Sequence, residues 1–380
     1  MVDLCKKQYF CTMCRINNLW ILLIVPLSLI SYISQGQATL LYSEIDKIIR
    51  YDTDIDMKKT PGYIIGVFDN DSTYFFSYGT KILKDKVAIT KDDIFESGSV
   101  SKLFTSALIS ILIAEDKIDI SEPVNKYLPT EYVNPRLSDL TISDLVHHQS
   151  GLPRRPLYFG KKEKSLQNPY AFYTEKDLLK FYRDYIPSGK SFEYSHTNYA
   201  LLEVIIKNIC GSSFQDLLQE KILSKLKMNQ TFTDFPEEKL SLLTPGYDRA
   251  LKKVAPWTFA SFKGSEGIKT TANDMISFLK AHILMSGTSL DTILGKNLDI
   301  VSYPGLNESL SIAMGWHNFS KNKLNIYMHT GSTSGHNAFA AIVRETKTGV
   351  VIFSNSSTGT QDLGLQILRL INYNWKRVNS

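Results

Sequence analysis

Cysteine is nearly missing from this chain: there are four in 380 residues, and Cys5, Cys11 and Cys14 all fall within the first 14 positions. Only Cys210 lies downstream. A lone thiol excludes an internal disulfide framework in that part, which must be stable through its core alone. Charge of one sign is also scarce. With 43 Lys and Arg against 38 Asp and Glu, the formal net charge is +5, and no basic cluster alternates with aromatics. Nucleic-acid binding therefore has little support. The histidines offer no metal site, because His147 and His148 are adjacent and diverge, and no His/Asp/Glu set has ligand spacing. Internal repeats and low-complexity segments are absent as well.

A comfortable membrane span is missing too. The apolar stretch from Trp20 to Ile33 is short and interrupted by Pro26. Lys6, Lys7 and Arg15 precede it, and small residues Gly36 and Ala38 follow, which reads as a secretory signal peptide over residues 1–38, cleaved after Ala38. An uncleaved anchor and a start at Met13 are the alternatives. No cysteine follows the apolar stretch where a lipid anchor would need one. Export across an inner membrane into the periplasm is the expectation, with no stable membrane span left after removal.

What is there is a clear alternation of patterns. Leu40–Arg50 has helical spacing, and 62–69 and 73–79 are strand-like runs around Asn70-Asp71-Ser72, which predicts a hairpin. Helical patterns dominate 115–290, including 175–185, 199–210 and 213–226. Strand signals return at 311–318, 323–329, 337–344 and 349–355, and a helix is expected over 361–375. Strands at both ends predict an α+β sandwich: one antiparallel sheet built from both termini, with flanking helices and an inserted helical lobe. The expected division is 1–38 as leader and 39–380 as one domain, with a sheet lobe at about 39–95 and 300–380 and a helical lobe at about 96–299.

The chemistry starts at Ser99 and Lys102. They stand three residues apart at the head of a run, Leu103 to Ala114, that is apolar on nearly every face and so predicts a buried helix. Residues at i and i+3 share a helix face, which sets a hydroxyl beside an amine near the positive end of the helix dipole. A lysine desolvated there can act as the base that a serine nucleophile needs. Ser-x-x-Lys is a cheap pattern, and it recurs at Ser224/Lys227, Ser277/Lys280 and Ser320/Lys323, where a capped helix start with a surface lysine is the plain reading. Only the pair at Ser99 opens a fully apolar helix. A different serine-hydrolase pattern, Gly-x-Ser-x-Gly, is absent, since residues 331–335 place Thr333 at its centre.

In chain order, Gly98-Ser99-Val100-Ser101-Lys102, the segments 118–129 and 147–153, Tyr194-Ser195-His196, Gly264–Asp274 and His329-Thr330-Gly331 together resemble the serine β-lactamase and penicillin-binding superfamily, in its class C branch. That branch includes related D-alanyl-peptidases and esterases. The resemblance runs from about residue 40 to 370. It implies Ser99 as nucleophile, Lys102 as base, Tyr194 as proton relay, and His196, His329, Thr330, Gly331 and Ser332 as substrate-binding residues. The N–H groups of Ser332 and Ser99 are the oxyanion candidates. Lys347-Thr348-Gly349 copies the family's Lys-Thr-Gly but lies between two strand runs and reads as a hairpin turn.

Two departures stand out. His196 occupies the place of the family's asparagine, and His329 that of a permanently charged lysine facing the substrate carboxylate. If His329 must be cationic, activity on acidic substrates should fall through roughly pH 6–7. The expected function is an exported serine hydrolase that needs no cofactor and acts on a small molecule or short peptide: a β-lactam, a D-alanyl peptide or a carboxylic ester. A binder that is acylated and stalls is the alternative from another class.

Overall fold

The computed structural model describes residues 39–53, 60–157, 159, 168–235, 237–305, 308–321, 323–357 and 359–372. The expected leader, 1–38, lies outside the described residues. The chain divides into two units at Thr53. In the first, residues 39–47 are helical and continue into a π turn, Ile48–Asp52.

The second unit holds an eight-stranded antiparallel sheet. Its strands are β1 (Gly62–Asp69), β2 (Ser72–Gly79), β3 (Val301–Ser302), β4 (Leu310–Ala313), β5 (Trp316–Lys321), β6 (Leu324–Ser332), β7 (Asn337–Val343) and β8 (Thr348–Ser354), in the order β2-β1-β8-β7-β6-β5-β4-β3. The early hairpin is thus sewn to the late strands through β1 and β8, with Gly66 opposite Val351. Every residue of β7 and β8 is buried, as strands covered on both faces require. Register shows how they are covered. Gly66, Val351 and Ala340 lie across from one another and so share a face, while Phe339 and Ile352 share the other. The first face meets Ile276 of one helix, Ala272–His282, and the second meets Gly364 of another, Gln361–Ile371. The result is the expected sandwich.

Between the hairpin and the late strands come the helices that build the site. Helix α1 (Ser101–Ala114) is buried from Ser101 through Leu112, as its all-round apolar sequence predicts. Helix α2 (His196–Cys210) starts at Ser195, whose hydroxyl accepts from the Asn198 N–H, and stops at Gly211 in the left-handed region. A single turn, α3 (Lys263–Glu266), precedes α4 (Ala272–His282). The residues expected as one strand, 311–318, instead form the β4–β5 hairpin. Met314 and Gly315 turn at φ 45° and 85°, and a Cβ on Gly315 would lie 2.6 Å from the Tyr199 hydroxyl and 2.8 Å from Ser106 Oγ. The turn thus packs closely against α1 and α2, with no room for a side chain at 315. Lys347, at φ 53°, sits in the β7–β8 turn, as its sequence context predicts.

Candidate active site

Ser99 lies in a short 3₁₀ turn, Gly98–Val100, directly ahead of α1. Ser97 and Ser101 anchor that turn. Ser97 Oγ donates to the Ile268 carbonyl at 2.9 Å, and Ser101 Oγ donates to Gly98 O at 2.6 Å while accepting from the Ile268 N–H at 2.9 Å. One helical turn on, Lys102 is fully buried. Its Nζ lies 3.2 Å from Ser99 Oγ, 3.1 Å from the Ser265 carbonyl and 2.9 Å from Glu266 Oε1. Those three acceptors match the three N–H bonds of an ammonium. Burial pulls the amine down to about 8, with the Glu266 charge opposing that fall.

Glu266, at the end of α3, is a site residue that sequence reasoning left unassigned. Its Oε1 accepts from Ser99 Oγ at 2.5 Å, from Lys102 at 2.9 Å, and from His196 Nδ1. Burial pushes this carboxyl up. The Lys102 charge, His196 and the Ser99 hydroxyl outweigh that and hold it well below the usual carboxylate range. The segment 264–274 was visible in the sequence, but nothing local says that the side chain at 266 turns toward a residue 167 positions earlier.

Tyr194 stands beside this cluster, its ring centroid 5.1 Å from Lys102 Nζ and 5.4 Å from Arg154 Cζ. Two cations thus flank the ring, as a phenolate would need. Burial, followed by the Glu266 charge, nevertheless pushes the phenol well above its ordinary value, with Ser99 and Arg154 opposing this only in part. Tyr194 is a phenol at neutral pH. Its hydroxyl lies 3.4 Å from His329 Nε2, and since His329 Nδ1 donates to the Thr330 carbonyl at 2.7 Å, Nε2 is the acceptor.

The two histidine departures behave alike. Burial, then Lys102, lowers His196 to about 4. Arg154 Nε donates to His196 Nε2 at 3.2 Å, and a guanidinium only donates, so the ring proton sits on Nδ1, facing Glu266. His329 is 1% exposed, and burial followed by His317 and Lys102 pushes it well below 6.5. The expected loss of activity on acidic substrates through pH 6–7 therefore has no basis: His329 is neutral across that range.

The end of β6 closes the site. A Cβ on Gly331 would stand 1.9 Å from Ser97 O and 2.9 Å from Ser99 N, and one on Gly98, at φ 51°, would stand 2.7 Å from Ser332 N. Only glycine lets the strand and the serine turn approach so closely. The N–H groups of Ser99 and Ser332 are thereby brought to one place. A cavity of about 320 Å³ opens above them, lined by Ser99, Tyr194, His196, Glu266, His329, Thr330, Gly331 and Ser332. Lys102 lies beneath its floor. The cavity also takes in four residues that no sequence pattern singles out: Arg154, Arg155, Trp257 and His317. Among the described residues, no group of three or more His, Cys, Asp or Glu side chains is placed to hold a metal ion.

The fold matches solved structures. A class C beta lactamase from Rhodobacter sphaeroides superposes with a TM-score of 0.73 over 89% of this chain and 99% of that one, at 21% identity. In sequence, the chain is 27% identical to a beta-lactamase of Pseudomonas fluorescens over 330 residues, covering 78% of this chain and 88% of the relative. It is 25% identical to a beta-lactamase of Escherichia coli (strain K12), covering 80% and 86%. The Beta-lactamase family model matches residues 45–371, nearly the whole chain, and the protein therefore belongs to that family of serine hydrolases.

Proposed function

We propose that the protein is exported and forms an acyl-enzyme on Ser99, hydrolysing the amide bond of a β-lactam or a D-alanyl peptide. The observation that carries this reading is the convergence, at the floor of one polar cavity, of the Ser99 hydroxyl with Lys102, Tyr194 and the strand end at 330–332. In this mechanism Ser99 Oγ attacks the carbonyl, and the N–H groups of Ser99 and Ser332 receive the oxyanion. Lys102 takes up the proton, and the Tyr194 O–H delivers one to the leaving group. Both substrate classes carry a carboxylate. Neutral His329 cannot hold one as a cation, but Arg154 and Arg155 line the same cavity and can. Arg155 is positioned over the Phe159 and Tyr170 rings and donates to the Tyr170 hydroxyl at 3.2 Å.

The neutral strand histidine favours a second reading, a carboxylesterase acting on uncharged acyl groups. One panel separates the two. The protein and its Ser99→Ala variant are offered a chromogenic cephalosporin, a short p-nitrophenyl ester and a D-Ala-D-Ala peptide, with mass spectrometry for an adduct. Turnover of the cephalosporin or peptide that vanishes in Ser99→Ala supports the first reading, and turnover of the ester alone supports the second. A lasting adduct without turnover identifies a binder. Under the first reading, Arg155→Ala lowers the ratio of kcat/KM for acidic over neutral substrates by about tenfold, the loss of one charged hydrogen-bonding partner. Export is tested by N-terminal sequencing of the product recovered outside the cytoplasm, where a start at Thr39 is expected.

A further inference from the structure

Glu266 has no part in the scheme just given, yet it makes the shortest contact to the serine. The Ser99 hydroxyl has one proton, and it points to Glu266 Oε1 at 2.5 Å, whereas Lys102 Nζ is 3.2 Å away and donates toward Oγ. The same carboxylate oxygen lies 2.9 Å from Lys102 Nζ. One atom therefore bridges the nucleophile and the amine. His196 Nδ1 holds that atom from a third side, and the Ser265 carbonyl fixes the amine.

We propose that Glu266 is a catalytic residue, the proton relay between Ser99 and Lys102: the hydroxyl proton enters the base through Glu266 Oε1 and comes to rest on Lys102 Nζ. This rests on the acyl-enzyme reading above and replaces its direct transfer from Ser99 to Lys102. As Oγ bonds to the acyl carbon, the carbonyl π pair moves onto oxygen and the Oγ proton passes to Oε1. The Oε1 proton moves to the neutral amine, leaving carboxylate and ammonium. When the intermediate collapses, the leaving group departs with the bond pair and takes a proton from Tyr194, which recovers one from Lys102. No atom or charge is left over.

The pair works as a unit because the two groups interact strongly. With Lys102 charged, Glu266 is held far too acidic to accept a proton. With Lys102 neutral, the largest influence opposing burial is gone, and the carboxylate's proton affinity rises just where the hydroxyl is aimed, against only His196 and the Ser99 hydroxyl. The base becomes competent as Lys102 deprotonates, at about pH 8. Other groups around the pair are Tyr194, His148, His196, His317, His329, Arg154 and Arg155. Glu203 of α2 accepts from the Gly264 N–H and is pushed up to about 7 by burial, so it titrates nearby and stays the same in every variant compared.

The test is the rate at which a fluorophosphonate labels Ser99 in the full chain as a function of pH. This reads the nucleophile directly: the Oγ–P bond forms, fluoride leaves, and the proton goes to the base. For the wild type the rate should rise to a plateau through about pH 8. Glu266→Gln cannot carry a proton, so its plateau should fall by about a hundredfold, the usual worth of a positioned proton acceptor. Its rise should also move to lower pH, since the amine has lost its carboxylate. Glu266→Asp keeps the charge but draws the oxygen away from Oγ, so its plateau should drop while the rise stays near pH 8; it decides the matter if the Gln variant does not fold. A plateau within about threefold of wild type in the folded variants would mean direct transfer to Lys102 and would overturn the relay. A wild type labelled no faster than Ser99→Ala overturns the acyl-enzyme reading and the relay with it.

Discussion

Removing one member of a buried ion pair strands the other, and Lys102 with Glu266 is such a pair, at 2.9 Å with both side chains almost wholly buried. Lys102→Met should therefore cost about 3–5 kcal/mol of stability through the uncompensated carboxylate, beyond its effect on activity. Lys102→Met with Glu266→Gln should recover most of that loss. Urea unfolding of both variants measures it, and additive losses in the double variant would show that the pair is not coupled. At this scale the sequence revealed half of the pair. A lysine at the head of a fully apolar helix is a local anomaly and could be noticed. A glutamate 164 positions later became its partner only through the fold, and a single sequence carries no trace of that.

The strand that ends at Ser332 matters less for the side chains it offers than for how near its backbone comes to Ser97–Ser99. With its Cβ 1.9 Å from Ser97 O, Gly331→Ala must push β6 off the serine turn. Displacing the strand by about an ångström should lower kcat/KM by about a hundredfold and stability by about 1–3 kcal/mol. Gly359→Ala, where an added Cβ meets nothing within 4 Å, is the matched control and should change neither. Unaltered kinetics in Gly331→Ala would show that the turn and the strand tolerate separation. That a glycine belonged there was readable; what it made room for was not. Most elements were likewise readable from their spacing. The β4–β5 turn was missed because Met314-Gly315 is a weak turn signal inside an apolar run, with a non-glycine residue in the left-handed region.

For the whole molecule, strands at both ends of the chain and helices between them pointed to one sheet closed by its two ends. The order of eight strands did not follow from that, since pairing is nonlocal and β1 meets β8 some 290 residues on, as in the register of Tyr63 with Ser354. Closing the sheet also buries titratable side chains, and that has a cost the sequence did not show. His282 on α4 lies between the Phe278 ring at 4.6 Å and the Trp316 ring of β5 at 5.2 Å, its Nδ1 donating to the Phe278 carbonyl. Burial lowers it to about 4, and His196 and His317 likewise to about 4. Unfolded, each returns to about 6.5. Between those values the unfolded chain binds more protons, so stability rises with pH and is lost as pH falls from about 6.5 to 4. Glu203 works the other way: raised to about 7, it favours the folded state at low pH and gives that up as pH rises through 7. Urea midpoints should thus fall as the pH drops on the acid side of neutrality. In His282→Phe, which lies away from the cavity, the acid-side slope should shrink by about 1.4 kcal/mol per pH unit, the share of one histidine. An unchanged slope would mean that His282 takes up its proton without unfolding, and that the layer between α4 and the sheet opens to water more readily than its packing implies.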